Sequence, residues 1–244
     1  MDILSIRNFH KRYGDHVAVR DLSLTVAAGS IYGCIGHNGA GKTTLIRAIV
    51  GAQPFEGGEI EICGYSIVHS PIEAKRCLAY VPDNPDIYEF MTGSQYLTYL
   101  ADIFNVPARD RVARTGELSE RLDLTGSLAE PISSYSHGMK QKLVIMGALI
   151  HNPRLLVLDE PFVGLDPVAA HELKLILRER ASAGTAVFFS SHVLEVVEKL
   201  CDELAVVRQG EIVAQGPTEA IRGDDSLEDV FLELVEGARG GREA

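Results

Sequence analysis

Tryptophan is absent from this 244-residue sequence, aromatic residues make up only 7%, and basic side chains are outnumbered. The 23 lysines and arginines face 34 aspartates and glutamates, which gives a formal net charge of −11. This excess disfavours binding to nucleic-acid backbones and to anionic lipids, because both are themselves negatively charged. We therefore expect no nucleic-acid partner, whereas a local basic pocket for phosphate remains compatible with the composition.

No hydrophobic run is suited to crossing a membrane. The longest stretch without a charged side chain, residues 22–41, contains five glycines and several polar residues, so it would not enter lipid as a helix. The N-terminal segment carries an acid at position 2 and further charges soon after, and it lacks the apolar core of a signal peptide. These features predict a cytosolic protein.

Cysteine is scarce and its spacing is uninformative. The four cysteines, Cys34, Cys63, Cys77 and Cys201, have no pairwise spacing typical of a zinc or redox site. In a chain without a signal peptide, we expect reduced and mostly buried thiols.

Short apolar or alternating runs alternate with helical patterns. Strands are predicted at residues 4–9, 17–26, 30–35, 59–62, 78–81, 155–158, 185–190, 204–207 and 211–214, and helices at 42–50 and 168–183. The runs LLVL and AVFF are apolar throughout, which is typical of a buried parallel sheet. The alternation predicts an α/β fold with helices on both faces of the sheet.

The alternation stops between about residues 93 and 150, where only helical periodicity is present. We predict an all-helical insertion there, and a second, small antiparallel sheet from the N-terminal strands and residues 57–64. The expected organisation is one large domain over 1–222, in which the α/β core and β subdomain occupy 1–82 and 151–222. The helical subdomain occupies about 83–150, and a C-terminal helix and frayed tail occupy 223–244.

A glycine-rich loop follows the apolar strand IYGCI and precedes an amphipathic helix. It fits the pattern G-x-x-x-x-G-K-[ST], whose glycines let backbone N–H groups point at phosphate oxygens at the positive end of a helix. Lys42 would reach the β- and γ-phosphates, and the Thr43 hydroxyl would bind Mg²⁺. The predicted nucleotide-binding residues of this loop are Gly36, His37, Asn38, Gly39, Ala40, Gly41, Lys42, Thr43 and Thr44.

The strand LLVL ends in two acids, Asp159 and Glu160. Such a strand delivers carboxylates to the carboxyl edge of the sheet, where α/β folds bind their ligands. Asp159 suits a water-mediated contact with Mg²⁺, and Glu160 could orient and deprotonate an attacking water. The alternative is a solvated acidic turn, but the phosphate loop in the same chain favours a functional pair.

The segment 135–141, Tyr-Ser-His-Gly-Met-Lys-Gln, resembles the signature loop of ATP-binding-cassette (ABC) ATPases and opens a helix expected at 141–150. Nearly the whole chain resembles that family, with its motifs in the family's order. The resemblance implies a P-loop NTPase core of RecA-like type, with a small antiparallel β subdomain and an inserted all-helical subdomain. Residue patterns alone would stop at a P-loop NTPase, because the transport function comes only from the resemblance.

The resemblance also implies roles for residues outside the two motifs above. Tyr13 matches the aromatic residue that stacks on adenine, Asp166 lies in the loop that crosses the dimer interface, and His192 matches the switch histidine that contacts the γ-phosphate. Ser136 and Gly138 would present a hydroxyl and an N–H group to the nucleotide of a second subunit. Local alternatives are a surface aromatic for Tyr13, a helix start for Asp166 and a position beside an N-cap for His192.

Two positions depart from the family pattern. Asp83 stands where the family usually has glutamine, and a carboxylate there could hold Mg²⁺ or its water; the alternative is that Asp83 caps the turn after Pro82. In the signature loop, His137 and Met139 replace the usual residues, and positive charge at Lys140 and at His137 could compensate. Acidic residues at the first position occur in a branch that resembles the ABC-2-type exporters of drugs, lipids or ions.

The resemblance implies an ATP- and Mg²⁺-dependent transport ATPase subunit. Two copies, or two closely related chains, would close on two ATP molecules and move a separate membrane-spanning subunit docked on the helical insertion. The chain would be peripheral, at the cytoplasmic face of the membrane. Residues 226–236 resemble the closing helix of the exporter branch, which favours export. The alternatives are a non-transport ABC ATPase that acts on a ribosome or other macromolecule, and a small-molecule phosphotransferase.

Overall fold

The computed structural model describes residues 1–236, so the tail predicted at 237–244 lies outside the described residues. The strands are β1 (Asp2–Tyr13), β2 (His16–Ala27), β3 (Ile31–Ile35), β4 (Gly57–Ile62), β5 (Tyr65–Ser66), β6 (Leu78–Val81), β7 (Leu155–Asp159), β8 (Ala186–Ser191), β9 (Glu203–Arg208) and β10 (Glu211–Pro217). The helices are α1 (Lys42–Ile49), α2 (Pro71–Cys77), α3 (Gly93–Ile103), α4 (Ala108–Arg121), α5 (His137–Leu149), α6 (Pro167–Ser182), α7 (Leu194–Leu200), α8 (Thr218–Arg222) and α9 (Leu227–Glu236).

The larger sheet has six strands in the order β10-β9-β3-β8-β7-β6. All neighbouring pairs are parallel except β9 and β10, which form an antiparallel hairpin. Gln209 and Gly210 both have positive φ in the connecting turn, as a tight hairpin turn requires. The carboxyl ends of β3, β6, β7 and β8 therefore meet at one edge of the sheet.

The smaller sheet has four antiparallel strands in the order β2-β1-β4-β5. Its first two strands have 12 residues each and form a long hairpin, with alternate residues buried along β2. The mixed α/β fold with one parallel and one antiparallel sheet confirms the predicted fold class.

The chain between β6 and β7 is helical, as predicted. Within residues 93–150, all of which the structure describes, α3, α4, α5 and two short 3₁₀ turns occur and no strand is present. The prediction that the signature helix begins at Gln141 is wrong: α5 begins at His137, because the Ser136 hydroxyl accepts a hydrogen bond from the Met139 N–H and caps the helix. The subdomain boundaries at 83, 150 and 222 stay predictions.

Two hydrophobic cores lie on opposite faces of the six-stranded sheet. Successive residues of β7 alternate between them, so Leu156 and Leu158 pack with the helical insertion and α6, whereas Leu155 and Val157 pack with the antiparallel sheet and α1. Both faces of the strand are buried, which explains why its sequence is apolar throughout.

The longest helix among residues 1–236 is α6, with 16 residues. None of the helices described has the length and apolar character needed to span a bilayer. The four cysteines are free thiols; Cys34 and Cys201 are buried as expected, whereas Cys63 and Cys77 are only partly buried.

We predict that Leu155→Ala and Leu156→Ala destabilise the protein by similar amounts. Each side chain is at most 1% exposed, and the two belong to opposite cores, so each truncation should lower the free energy of unfolding by about 2–5 kcal/mol. Denaturant unfolding measures the change, with Leu175→Ala on the outer face of α6 (39% exposed) as the matched control. A loss confined to one of the two variants would mean that one face of β7 is not packed.

Candidate active site

The loop between β3 and α1 forms an anion-binding cradle. Gly36 has no room for a side chain, because a Cβ there would lie 2.4 Å from the carbonyl oxygen of Val207. Gly41 is the N-cap of α1 with φ of 110°, a conformation that favours glycine. Among the described residues, no side chain caps the N-terminus of α1, and the first turn of α1 contains no acid. The free N–H groups at the start of α1 can therefore bind an external anion.

Lys42 lies at the centre of this cradle. Its side chain is largely buried, and its Nζ donates hydrogen bonds to the carbonyl oxygens of Gly36 at 2.6 Å and of His37 at 3.2 Å. These carbonyls are uncharged, so they satisfy the hydrogen bonds of the ammonium but do not neutralise it. A buried charge of this kind is stabilised by an anionic ligand.

Asp159 ends β7 beside the cradle and is almost fully buried, at 1% exposure. Its Oδ1 accepts a hydrogen bond of 2.5 Å from the Ser190 hydroxyl, whereas Oδ2 is buried without a partner among the residues described. Burial raises the pKa of Asp159, and this rise is opposed by the hydrogen bond from Ser190 and by the nearby Thr43 hydroxyl. Sequence reasoning did not single out Ser190, although a serine ending the apolar strand AVFFSS was a usable signal.

Glu160 and His192 form a pair at the open end of the site. Glu160 Oε2 lies 2.9 Å from His192 Nδ1 and accepts a hydrogen bond of 3.3 Å from the backbone N–H of His192. The Glu160 side chain is 17% exposed and that of His192 is 57% exposed. Glu160 has φ of 48°, a left-handed conformation that non-glycine residues seldom adopt and that is typical of functional sites.

Asp83 follows β6, the neighbour of β7 in the sheet, and therefore reaches the same edge. It contributes to the raised pKa of Asp159 through like-charge repulsion, behind burial, which is the largest cause. Its Oδ1 also accepts a hydrogen bond of 2.9 Å from the Asn84 N–H. Asp83 thus makes a turn contact and faces the site at the same time, so both predicted roles remain open.

Tyr13 ends β1 at the opposite side of the cleft, with its ring 48% exposed. Its hydroxyl donates to Gln53 Oε1 at 2.7 Å, and the Lys11 ammonium lies 5.1 Å from the ring centroid. The hydroxyl of Tyr13 is thereby anchored, while about half of the residue stays exposed beside the cleft.

The cleft defined by these residues has a volume of about 420 Å³, within the range of small-molecule sites. Its lining consists of Tyr13, His16, Ala18, Asn38, Gly39, Gly41, Lys42, Thr43, Thr44, Asp83, Asp159 and Glu160. His16 and Ala18 are additions that no sequence pattern indicated. The predicted residues Gly36, His37 and Ala40 belong to the loop without lining the cleft, and His192 stands beside Glu160.

The predicted residues Ser136, Gly138 and Asp166 do not line the cleft. Ser136 caps α5, and a Cβ on Gly138 would lie 2.8 Å from the Gly164 carbonyl oxygen, so the signature loop packs against the loop that precedes Asp166. Asp166 caps α6 by accepting a 2.9 Å hydrogen bond from the Ala169 N–H.

Two lysines near these loops are already paired. Lys142 lies 3.1 Å from Asp166, and the Ala169 N–H and this lysine together hold the pKa of Asp166 below its usual value. Lys140 forms an ion pair with Glu89. The positive charge expected to compensate for the altered signature loop is therefore shared with an acid of the same chain.

The donor set fits a nucleotide with Mg²⁺. The unpartnered Asp159 Oδ2 and the Thr43 hydroxyl beside it are hard oxygen ligands of the kind that Mg²⁺ prefers. No group of three or more His, Cys, Asp or Glu side chains within residues 1–236 is arranged to hold a metal on its own. Mg²⁺ in nucleotide sites takes few protein ligands and completes its shell with phosphate and water, so this sparse set is sufficient.

Comparisons with known proteins identify the family of this chain. Residues 19–163 match the family model described as ABC transporter. The chain is 35% identical to the uncharacterized ABC transporter ATP-binding protein YdbJ of Bacillus subtilis, over 95% of this chain and 74% of that protein. It is 36% identical to the Nod factor export ATP-binding protein I of Ralstonia nicotianae, over 90% of this chain and 68% of that protein.

A solved structure described as the ATP-binding subunit of an ABC transporter superimposes with a TM-score of 0.92 and is 31% identical, covering 95% of this chain and 99% of that one. The fold, the cradle at the carboxyl edge of the sheet and these similarities lead to one conclusion. The chain belongs to the ABC transporter family, as an ATP-binding subunit with ATPase activity.

Proposed function

We propose that this subunit drives the export of a substrate through a separate membrane-spanning subunit, by ATP-dependent closure of two ATP-binding subunits. The observation that carries the ATP-dependent part of the proposal is the cleft lined by Lys42, Asp159 and Glu160, with His192 paired to Glu160 beside it. The similarity to a protein named for Nod factor export supports the direction, as does the helix α9, which resembles the closing helix of exporters.

In this proposal the loop from Gly36 to Thr44 binds the phosphates and Tyr13 stacks on adenine. The N–H groups at the start of α1 and the ammonium of Lys42 supply positive potential where the β- and γ-phosphates would lie. The Tyr13 ring is half exposed and fixed through its hydroxyl, which limits the entropy that stacking would cost.

Mg²⁺ would be held by the Thr43 hydroxyl and by Asp159 and Asp83, directly or through water. The bound ion would neutralise phosphate charge during transfer. Ser190 holds one oxygen of Asp159 and leaves the other free, so the carboxylate is oriented before any ligand arrives.

Glu160 is the proposed general base. Its carboxylate would accept the proton of a water positioned for attack on the γ-phosphate, while the bond between that phosphorus and the leaving ADP oxygen breaks. His192 holds Glu160 through the backbone N–H and the ring, and its own exposed ring would contact the γ-phosphate. Both residues follow neighbouring strands, which keeps the pair aligned.

Ser136, Gly138 and Asp166 are assigned to the partner's nucleotide. They lie outside this chain's cleft but close to one another, at the starts of α5 and α6. The positive end of the α5 dipole, where Ser136 and Gly138 lie, would favour the phosphates of that nucleotide. A second ATP-binding subunit, identical or closely related, would bring its phosphate loop to this face. The proposed dimer therefore completes two sites at once.

An exposed aromatic surface is the proposed dock for the membrane subunit. Tyr88, Phe90, Tyr99 and Ile103 are 47%, 81%, 39% and 51% exposed, and the Tyr88 ring lies 5.8 Å from those of Phe90 and Tyr99. Exposed apolar clusters of this kind are typical of protein interfaces. Docking here would hold the chain at the cytoplasmic face of the membrane as a peripheral subunit.

The alternative is an ABC ATPase that acts on a ribosome or another macromolecule rather than on a transporter. A nucleic-acid-rich partner would attract basic surface, whereas this chain has a net charge of −11. Transport therefore remains the better-supported function.

We expect Glu160→Gln to bind ATP but to hydrolyse it at least about a hundredfold more slowly, because an amide cannot take up the proton of the attacking water. The closed dimer should then accumulate. Gel filtration with ATP and Mg²⁺, alongside an ATPase assay, tests both effects. A variant that stays monomeric and turns over at the wild-type rate would remove Glu160 from the reaction and contradict the proposal.

We expect Asp83→Gln to remain active but to need more Mg²⁺ for half-maximal ATPase activity, because an amide holds a hard dication less strongly than a carboxylate does. A Mg²⁺ titration at fixed ATP measures the shift. Should the titration overlay the wild type while thermal stability falls equally with and without nucleotide, Asp83 serves only the turn with Asn84.

We expect Phe90→Asp to abolish copurification of a membrane protein with several spanning helices from detergent extracts. A charge at the centre of the aromatic surface should prevent that surface from being buried against the membrane protein. Val112→Asp on α4, at a residue that is 74% exposed, is the matched control and should retain the partner. Retention by both variants would place the dock elsewhere.

A further inference from the structure

The C-terminal helix α9 packs beside the nucleotide site rather than away from it. Leu227 is fully buried and Phe231 is 7% exposed, and both belong to the core that contains Val197 and Leu200 of α7. The helix α7 begins two residues after His192. The apolar face of α9 thus covers the helix that follows the switch histidine.

Phe231 also reaches the phosphate loop. Its ring centroid lies 5.2 Å from that of His37, with an angle of 66° between the ring planes, which is an edge-to-face aromatic pair. The carbonyl oxygen of His37 accepts hydrogen bonds from Lys42 Nζ at 3.2 Å and from the Ala40 N–H at 3.1 Å. The residue that Phe231 contacts therefore helps to order the loop and its lysine.

Polar contacts fix α9 at both ends. The Leu227 N–H donates to Glu198 Oε2 at 3.0 Å, and Arg208 Nη1 donates to the Leu234 carbonyl oxygen at 2.9 Å. An acid at the start of a helix and a base at its end both complement the helix dipole. Glu198 lies on α7 and Arg208 ends β9, so Phe231 is held on a helix tied to the sheet and to α7.

We propose that α9 is a strap that positions the phosphate loop, with Phe231 as a positioning residue that acts through His37. Phe231 does not line the cleft, so any effect on the nucleotide passes through the loop. The inference rests on the proposed role of the phosphate loop. A strap of this kind lowers the cost of ordering the loop around ATP, and it should act on binding rather than on the chemical step.

The test uses the full-length chain with Phe231→Leu, which keeps an apolar side chain but removes the ring, and with His37→Ala, which removes the other half of the contact. Each variant should raise the Kd of ATP about two- to tenfold, the range expected for loss of an aromatic pair. Phe231→Leu, which lies outside the cleft, should raise the KM by a similar factor with kcat unchanged. The Kd of ATP for the double variant should equal that of whichever single variant binds ATP more weakly, because both substitutions remove the same contact.

Leu232→Ala is the matched control, because Leu232 neighbours Phe231 on α9 and is 41% exposed. It should bind ATP as the wild type does. Wild-type affinity in a folded Phe231→Leu protein, with a melting temperature lowered only by lost packing, would overturn the proposal, as would fully additive effects of the two substitutions.

Lys42→Ala tests the phosphate loop independently of the strap. It removes the ammonium of that loop and should abolish ATP binding. If Lys42→Ala binds ATP normally, the proposed role of the phosphate loop is wrong, and the strap proposal, which rests on it, is wrong as well. If Lys42→Ala loses binding while Phe231→Leu and His37→Ala do not, only the strap is refuted.

Discussion

The register between β7 and β8 is the constraint on which the site depends. In this parallel pair Asp159 lies opposite Ser190, and the Ser190 hydroxyl donates to the Asp159 carboxylate. The Glu160 N–H in turn donates to the hydroxyl and carbonyl oxygens of Ser190, at 3.2 Å and 3.3 Å. A slip of one residue would turn Asp159 to the other face of the sheet and break all three bonds. Close packing in the two cores opposes such a slip, because the shifted side chains would no longer match the shapes of their neighbours.

This arrangement stores free energy at the site. Glu160 is held in a left-handed conformation, and burial raises the pKa of Asp159 above its ordinary value. Because the pKa of Asp159 is raised in the folded state, the stability of the fold decreases as the pH rises from the ordinary pKa of this carboxyl through its folded-state pKa, and the ionised form is the destabilising one. A cation at Oδ2 would relieve that penalty, which links the instability of the site to the proposed metal.

Features encoded by short segments could be predicted from the sequence, whereas contacts between distant segments could not. The phosphate loop, the β9–β10 turn and the acids at the end of β7 each depend on a few adjacent residues, and the structure has them where they were expected. The start of α5 was predicted four residues too late, at Gln141. The N-cap at Ser136 lets the helix begin at His137. The pairing of Phe231 with His37 joins opposite ends of the chain, and no local pattern in either segment indicates it.

The charge balance of the cleft explains how an acidic protein can bind an anionic ligand. Asp83, Asp159 and Glu160 contribute three carboxylates to the lining against the single ammonium of Lys42. Charges elsewhere on the surface are screened over about 8 Å at physiological salt, so the net charge of the whole chain has little influence at the phosphates. The N–H groups of α1 and Lys42 act at contact distance, but they do not outweigh three acids and a polyphosphate together. On the proposed function, Mg²⁺ would reverse that balance, because a dication would be attracted both by the three carboxylates and by the phosphates. The acids that would repel ATP alone would then favour the binding of ATP together with its metal.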